Sequence, residues 1–545
     1  MNRLLIASTV CWLAVIFSAA SAAQPDPHRT PLSKTAAALF ATAEDCVACH
    51  NGLRTSENED VSIGTMWRST MMANAARDPY FQAGLRRETL DHPSLAEELE
   101  DECAGCHAPM LQRAAHADGR KTELLSQFPI RADNQAAEHR LAADGVSCTV
   151  CHQIGADRLG TRDSFNGRFT MEASPGPRAF GPFKVDPGRA RIMRSVTGFS
   201  QTEAPHVRDS ALCATCHTLY TTARGANGEA VGELPEQMNF QEWQHSAFSG
   251  EQRSCQSCHM PDVKERTRIA SVLGEQREGL SRHVFVGGNF LVLRMLDRFR
   301  DELGVAALST ELEATARATL RQLETQTATL SLRTERGPDG VSAVVDIRNL
   351  TGHKFPTGYP SRRAWLHLTA RDAQGRVVFE SGAVGADGAI AGNDNDADAA
   401  AVEPHYDEIR QPDEVQIYET ILGAPGNAVT TGLIRATHYL KDNRLLPRGF
   451  DKATAHQDIA VHGTALQDPN FAGEGDVVRY RLPAATASVD VELRYQPIAF
   501  RWVQNLRSYA APEPRRFIGY FSAMAADSST VVARVSTPPS GGARR

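Results

Sequence analysis

From residue 328 onward, apolar and polar residues alternate with the period of two that is typical of half-buried β-strands. The pattern occurs in seven segments that are separated by Gly- and Pro-containing turns. They are residues 328–335, 341–349, 364–372, 376–382, 413–422, 476–483 and 487–497. Because short strands divided by regular turns are typical of two packed sheets, we predict a β-sandwich-like domain over residues 328–535.

Before residue 328 the period is helical. Leu312, Ala316, Leu320 and Leu323 fall on one face of a predicted helix over 309–326, and residues 289–303 predict a second helix. Residues 43–327 otherwise show short helical and loop segments. The two regions together predict an α+β fold in which a mostly helical and loop-rich domain precedes the β-domain.

The ends of the chain differ from both domains. Residues 1–23 combine Arg3, an apolar run and small residues at the end, which is the pattern of a secretory signal peptide. Residues 24–42 are rich in Pro, Ala and Thr and predict a flexible lead-in, and residues 536–545 predict a disordered tail. We therefore expect an exported, periplasmic or extracellular protein without an integral membrane segment in its mature chain.

Composition excludes one class of partner. The formal net charge is −7 and the pI is about 6.2, whereas nucleic-acid-binding domains are normally basic. No run of like charges predicts a membrane-surface site.

Ten of the eleven cysteines form five identical units of the type C-x-x-C-H, and Cys11 lies in the signal segment. This spacing is the attachment pattern of haem c, in which two thiols form thioethers to the vinyl groups and the histidine binds the iron. The cysteines are Cys46, Cys49, Cys103, Cys106, Cys148, Cys151, Cys213, Cys216, Cys255 and Cys258, and the proximal histidines are His50, His107, His152, His217 and His259.

Five covalently bound haems would also explain how the first domain folds. The first cysteines of successive units are 57, 45, 65 and 42 residues apart. Segments of that length cannot each build an apolar core, so we expect the haems themselves to form it. Zinc, iron–sulfur or redox-disulfide readings of C-x-x-C are alternatives, but none needs a histidine at the next position in all five units.

The segments DGVSCTVCHQI, SALCATCHTLY and EWQHSAFSGEQRSCQSCHMP resemble the multihaem cytochrome c proteins, in particular pentahaem members with a cytochrome c554-type haem domain. The resemblance continues into TGHKFPTGYPSRRAWL and YLKDNRLLPRGFDK, which are similar to the C-terminal non-haem β-domain of such proteins. It implies closely packed haems that pass electrons from one to the next.

The ligand on the far side of each iron decides what a haem can do, because a second protein ligand leaves electron transfer and an open face permits substrate chemistry. His283 precedes two glycines and His206 lies seven residues before Cys213, and the resemblance implies that both are distal ligands. His353 lies in a loop between two predicted strands, where it is either a distal ligand reaching from the β-domain or a turn residue. Weaker candidates are His28, His92, His116, His139 and His245.

An acidic loop in the β-domain has a calcium-like series, Asp394, Asp396 and Asp398, but it lacks the glycine and terminal glutamate of an EF-hand. We interpret it as a solvated loop.

The sequence leads to two main functional hypotheses. The first is an exported pentahaem cytochrome that transfers electrons to unidentified redox partner proteins, with self-assembly left open. The second is an oxidoreductase that acts on a small nitrogen or sulfur compound at one haem with an open distal face. A zinc-stapled structural protein is the third. No C-x-x-C-K variant, a signature of some catalytic haems, occurs in the chain.

Overall fold

The computed structural model describes residues 32–171 and 176–537. The predicted signal peptide and residues 538–545 of the predicted tail lie outside this range. Part of the predicted lead-in is described, and it contains the short helix α1 (Lys34–Ala37). The Ser33 hydroxyl caps this helix and donates to Asp118 Oδ1 over 2.6 Å, which ties the segment to the first domain.

The first domain is built from short helices and loops, as the sequence predicts. After α1 its helices are α2 (Ala43–Val47), α3 (Ile63–Arg68), α4 (Pro79–Asp91), α5 (Ala96–His107), α6 (Pro109–Ala117), α7 (Ala137–Ala143), α8 (Cys148–Cys151), α9 (Pro187–Thr197), α10 (Ser210–His217), α11 (Asn239–Gln244), α12 (Ala247–Gly250), α13 (Cys255–His259), α14 (Phe290–Arg298) and α15 (Ser309–Gln326). Three two-stranded sheets lie between them, formed by β1 (Arg178–Gly181) with β2 (Ser200–Glu203), β3 (Thr218–Arg224) with β4 (Ala230–Met238), and β5 (Thr267–Arg268) with β6 (Gln276–Arg277).

The first domain has a buried apolar cluster of its own, which includes Leu85 and Phe169, so its core is not formed by prosthetic groups alone as the sequence suggested. Helix α9 does not belong to this cluster. None of its residues is buried, although Ile192, Met193 and Val196 follow a helical period on one face. These three side chains line a central cavity. The apolar face of α9 is therefore turned towards the space where a prosthetic group would lie.

The second domain contains the predicted strands. They are β7 (Ala328–Gly337), β8 (Gly340–Asn349), β9 (Arg363–Arg371), β10 (Val377–Ser381), β11 (Glu408–Ile409), β12 (Ile417–Tyr418), β13 (Thr420–Ala424), β14 (Ala428–Thr430), β15 (His438–Asp442), β16 (Gly475–Leu482), β17 (Ser488–Gln496) and β18 (Thr530–Ser536). One sheet has the order β10-β9-β17-β18, with β12 pairing to β9, and a second sheet has the order β11-β16-β8-β7. A third sheet has the order β14-β13-β15.

The first two of these sheets share one apolar core. Val345 and Tyr480 from one sheet and Leu366 and Leu493 from the other belong to the same buried cluster. In both sheets alternate residues are buried, which is the period of two read from the sequence. The α+β fold class is confirmed.

Three further helices belong to the second domain, and the sequence analysis missed them. They are α16 (Asp394–Ala397), α17 (Phe500–Leu506) and α18 (Pro512–Ser522). Helix α18 packs on α4 of the first domain, where Arg86 makes a two-pronged ion pair with Glu513 at 2.9 and 3.0 Å. In α18 the buried residues Phe517, Tyr520 and Phe521 recur with a helical period, a signal that the sequence analysis did not use. Within residues 32–171 and 176–537, no helix has the length and apolar character needed to cross a membrane.

Candidate haem-binding site

All five C-x-x-C-H units converge on one cavity of about 2460 Å³. The ten cysteines carry no disulfide bonds, and every motif histidine lines the cavity wall. Each unit except the first ends within a helix or one residue beyond it, so the two thiols of a unit lie one turn apart on the same side. A cavity of this size with paired thiols and a histidine at each attachment point fits a set of covalently bound haems.

The backbone orients the motif histidines in the same way at four of the five units. The Nδ1–H group of His50 donates to the Ile269 carbonyl at 2.7 Å, and that of His107 donates to the Ala75 carbonyl at 3.1 Å. The corresponding acceptors for His152 and His259 are the carbonyls of Phe180 and Val286. Because only an N–H group donates to a carbonyl, each ring keeps a free Nε2 lone pair for a metal.

His353 lies opposite a motif histidine from the other domain. Its ring centre is 6.3 Å from that of His259, and the two ring planes are inclined by 17°. Two imidazoles bound to opposite sides of one metal ion, each at about 2 Å, have ring centres roughly 6 Å apart. The His353 Nδ1–H group donates to the Lys354 carbonyl at 2.8 Å, which leaves Nε2 free in the same way as at the motif histidines.

His283 repeats this arrangement at the third unit. Its ring centre is 6.5 Å from that of His152 with an interplanar angle of 23°. The His283 Nδ1–H group donates to the Ser281 carbonyl at 3.0 Å. Gly287 follows on the same loop, and a Cβ atom placed there would meet open space within the cavity wall. The loop thus supplies an imidazole to one site and, through Val286, an orienting carbonyl to another.

Burial keeps these imidazoles in the neutral form that binds metals. Desolvation lowers the pKa of His283, His107 and His217 to about 4 in each case. It also lowers the pKa of His353, although a hydrogen bond to the Lys354 carbonyl partly opposes the shift.

His206 is placed differently from His283 and His353. Its Nε2–H group donates to the Ile154 carbonyl at 2.8 Å, and its ring lies against the edge of Phe180. Val207 and Arg208 line the cavity, but His206 is not among the lining residues. The structure does not bring His206 to a motif histidine, and its role as an iron ligand stays a prediction.

The weaker candidates are mostly remote from the cavity. His92, His139 and His245 do not line it, and His28 lies outside the described residues. His116 lines it, but its Nε2 atom lies 2.8 and 2.9 Å from the two carboxylate oxygens of Asp101.

A buried ion network holds the loop that carries His353. Lys354 Nζ lies 2.7 Å from Asp442 Oδ2, and Arg444 reaches both oxygens of the same carboxylate at 2.7 and 2.8 Å. Arg444 also pairs with Glu242 at 2.9 Å, and Glu242 accepts a 2.6 Å hydrogen bond from the Thr357 hydroxyl. Since Glu242 belongs to α11 in the first domain, the network joins both domains around His353. Sequence reasoning missed it because its members are separated by up to about 200 positions.

Two other polar clusters in the β-domain have structural explanations. Asp396 makes a buried two-pronged ion pair with Arg363 at 2.8 and 2.9 Å, which differs from the solvated loop that the sequence suggested, whereas Asp394 and Asp398 are exposed as expected. His405 lies 3.1 Å from Asp468 and 3.8 Å from Asp476, a spacing that could hold a metal ion.

The tautomer of His405 argues against a metal at that cluster. Gln416 and Asn443 both donate to His405 Nδ1, at 2.8 and 3.0 Å. Their amide oxygens accept from the backbone N–H groups of Tyr406 and Glu419, which fixes which end of each amide donates. The imidazole proton must therefore sit on Nε2, where it is donated to Asp468.

Comparisons with known proteins agree with the fold. A scan against protein-family models found no match, and a search of curated proteins found none either. Among solved structures, the chain is similar to the crystal structure of a penta-haem cytochrome c552 from Thermochromatium tepidum. The sequence identity is 18%, the match covers 92% of this chain and 99% of that chain, and the TM-score is 0.50. At this identity the likeness concerns the fold, and the chain described here has the fold of a multihaem cytochrome.

Proposed function

We propose that the protein is a pentahaem c-type cytochrome that transfers electrons through closely packed, covalently attached haems. The observation that carries the proposal is the convergence of five C-x-x-C-H units on one cavity, with His353 and His283 facing His259 and His152 across it. A haem bound between two imidazoles has no open position, so its chemistry is the gain and loss of an electron.

Contacts between the units support a continuous electron path. The thiols of Cys46 and Cys148 interact electrostatically, as do those of Cys106 with Cys216 and Cys213 with Cys255. Cys151 lies close enough to Cys213 and Cys216 to interact with them electrostatically. The first and third units are therefore neighbours, and the third meets the fourth, which in turn borders the second and fifth.

Haem counting tests this proposal directly. Pyridine haemochrome analysis of the purified protein is expected to give five haems per chain, and electron paramagnetic resonance of the oxidised protein is expected to show low-spin signals. The variant Cys255→Ser/Cys258→Ser is expected to give four haems. A count below five in the unmodified protein, or zinc in place of iron, would overturn the proposal.

A second candidate is an oxidoreductase that acts on a small nitrogen or sulfur compound at one open haem. Five irons need five distal ligands, but among the described residues only His116, His283 and His353 add an imidazole to the cavity wall besides the motif histidines. Of these three, His283 and His353 face a motif histidine, whereas the Nε2 atom of His116 lies against Asp101. One high-spin haem that binds cyanide would support this candidate, and five low-spin haems would exclude it.

We also propose that the protein is exported and exchanges electrons with redox partner proteins. The proposed export rests on the signal-like residues 1–23, and the proposed partners rest on the class of protein. Fractionation of the native host, with a haem stain for the mature chain, tests the proposed periplasmic or extracellular location.

A further inference from the structure

Helix α9 and the loop of residues 269–275 form one edge of the cavity, and residues of both line it. Arg189 of α9 joins the two segments. Its Nε–H group donates to the Leu273 carbonyl at 2.7 Å, and its guanidinium pairs with Glu275 at 2.6 Å. The helix and the loop are therefore held together as one surface.

This edge borders the first haem-attachment unit. The Ser271 N–H group donates to the Cys49 carbonyl at 2.8 Å, and α9 lies against α2, which carries Cys46. The first unit is at one end of the series of five, since its thiol Cys46 adjoins Cys148 of the third unit, whereas the fourth unit borders three others. A terminal unit beside the surface is where an electron can enter or leave the series.

Three apolar side chains lie at the opening of the cavity on this edge. Val196, Val272 and Leu273 line the cavity and expose 64%, 53% and 61% of their surfaces. A place on the cavity wall does not by itself expose a side chain, since Phe169 and Leu293 also line it and expose 2% or less. Leu273 also has a φ of 53°, in the left-handed region that Gly or Asn adopts at lower cost. A leucine at this exposed position does not stabilise the fold, which points to a contact outside the chain.

Basic side chains lie beside the apolar opening. Residues 184–197 contain four basic residues and one acidic residue, in a chain whose net charge is −7. The acidic residue, Asp186, caps α9 and pairs with Arg189. Lys184, Arg191 and Arg194 are exposed, and within residues 32–171 and 176–537 none of them has an ion-pair partner. The edge is therefore a basic patch on an acidic protein.

We propose that Val196, Val272 and Leu273, together with Lys184, Arg191 and Arg194, form the docking surface for an electron-transfer protein that is acidic around its own redox centre. One electron passes between that centre and the haem of the first unit, so that one is oxidised as the other is reduced and no covalent bond changes. The inference rests on the electron-transfer function proposed above and names the partner and the point of entry.

Charge and composition select this kind of partner. An apolar centre with a charged rim is the usual anatomy of a protein interface, and transient electron-transfer interfaces are small. Unpaired positive charge attracts an acidic protein over a distance and raises the rate of encounter by about 10- to 1000-fold, more so at low salt.

Stopped-flow mixing of the oxidised holoprotein with photochemically reduced plant-type [2Fe–2S] ferredoxin tests the surface. This ferredoxin is an acidic protein and a strong one-electron reductant. We expect the rate of haem reduction to fall tenfold or more between about 10 and 300 mM salt, because salt screens the attraction. Arg191→Glu/Arg194→Glu is expected to lower the rate at low salt tenfold or more.

Two further variants separate charge from apolar contact. Arg317→Glu/Arg321→Glu on α15 is the matched control, because it makes the same change in net charge at exposed residues that do not line the cavity. It is expected to change the rate less than threefold. Leu273→Asn keeps the charge and suits the left-handed backbone, so it is expected to fold normally and to lower the rate at least threefold.

Three results would overturn the inference: no reaction with ferredoxin, a rate that does not fall with salt, or an equal loss in the α15 control. If Arg191→Glu/Arg194→Glu instead abolishes dimerisation or sedimentation with phosphatidylglycerol vesicles and leaves the ferredoxin rate unchanged, the surface belongs to a second copy or a membrane. The same samples give a haem count and a dithionite-reduced spectrum. Five reducible haems with no effect of salt or variants would leave the electron-transfer proposal standing and remove the docking surface, whereas a lower haem count would remove the proposed function itself.

Discussion

His353 of the β-domain faces His259 of the haem domain with ring centres 6.3 Å apart and planes inclined by 17°. The two residues come from separate domains, and both rings donate Nδ1–H to a backbone carbonyl. A metal ion between them would join the domains at a position that is already fixed by the Lys354–Asp442–Arg444 network.

The first prediction follows from this pair. His353→Ala is expected to retain five covalent haems, because no cysteine changes, and to convert one haem from low-spin to high-spin. Electron paramagnetic resonance of the oxidised protein measures the change. His438→Ala is the control, since the His438 imidazole bonds to Asn427 on the outside of the β-domain. An unchanged spin count in His353→Ala would show that His353 is a turn residue and not an iron ligand.

The second prediction separates two histidines that the sequence treats alike. His283→Ala is expected to convert a different haem to high-spin, because His283 faces His152, and its effect should add to that of His353→Ala. His206→Ala is expected to leave the spin count unchanged, because the His206 Nε2–H group is committed to the Ile154 carbonyl. Loss of a low-spin signal in His206→Ala would instead assign it as a ligand.

The third prediction concerns the ion network behind His353. Asp442→Asn leaves the buried cations Lys354 and Arg444 without their shared carboxylate. Removing one member of a buried ion pair costs about 3–5 kcal/mol because the other charge stays buried without a partner. Chemical denaturation should therefore show a loss of that order in the free energy of unfolding.

Asp346→Asn provides the matched control for that measurement. Asp346 is a strand residue whose half-exposed carboxylate lies 3.6 Å from Arg348. The expected loss is below about 1 kcal/mol, as for other surface pairs. Equal losses in the two variants would show that the network does not stabilise the domain junction.

The fourth prediction is a pH dependence. Burial raises the pKa of Glu236 to about 7, above its value in an unfolded chain. Between about pH 4.5 and pH 7 the native state holds a proton that the unfolded chain has released, so stability falls as the pH rises. Glu236→Gln removes this slope and should gain at most about 3 kcal/mol relative to the unmodified protein between pH 4.5 and pH 8.

Urea unfolding at the two pH values measures this gain. The control is Glu233→Gln on the same strand, where the side chain is exposed and pairs with Arg162. It is expected to keep the slope of the unmodified protein. A slope that persists in Glu236→Gln would assign the pH dependence to another buried group, such as Glu88 on α4, whose pKa is also raised by burial.

The local chemistry of the chain could be read without the structure. The period of two in residues 341–349 predicted β8, and the helical period of 309–326 predicted α15 with the bounds that the structure shows. His283 was also a candidate ligand from the sequence, because two glycines follow it in the same loop. These features depend on residues within one turn or one strand of each other, so a linear sequence contains them.

Other features depended on which distant segments meet. His92 and His245 were weaker candidates from the sequence, and neither lines the cavity. Tyr80 and Tyr359 are 279 positions apart in the sequence and have touching rings. No local pattern pairs them, because their contact is created by the docking of the β-domain on α4.

The sequence by itself determined the cofactor class, the number of attachment units and the fold class, because thioether spacing and strand period are local properties. Only the tertiary structure decided which histidine faces which unit and which polar groups share the cavity wall. Those relations are set by long-range packing of the two domains, in which His353 meets His259 and Glu236 meets Tyr359.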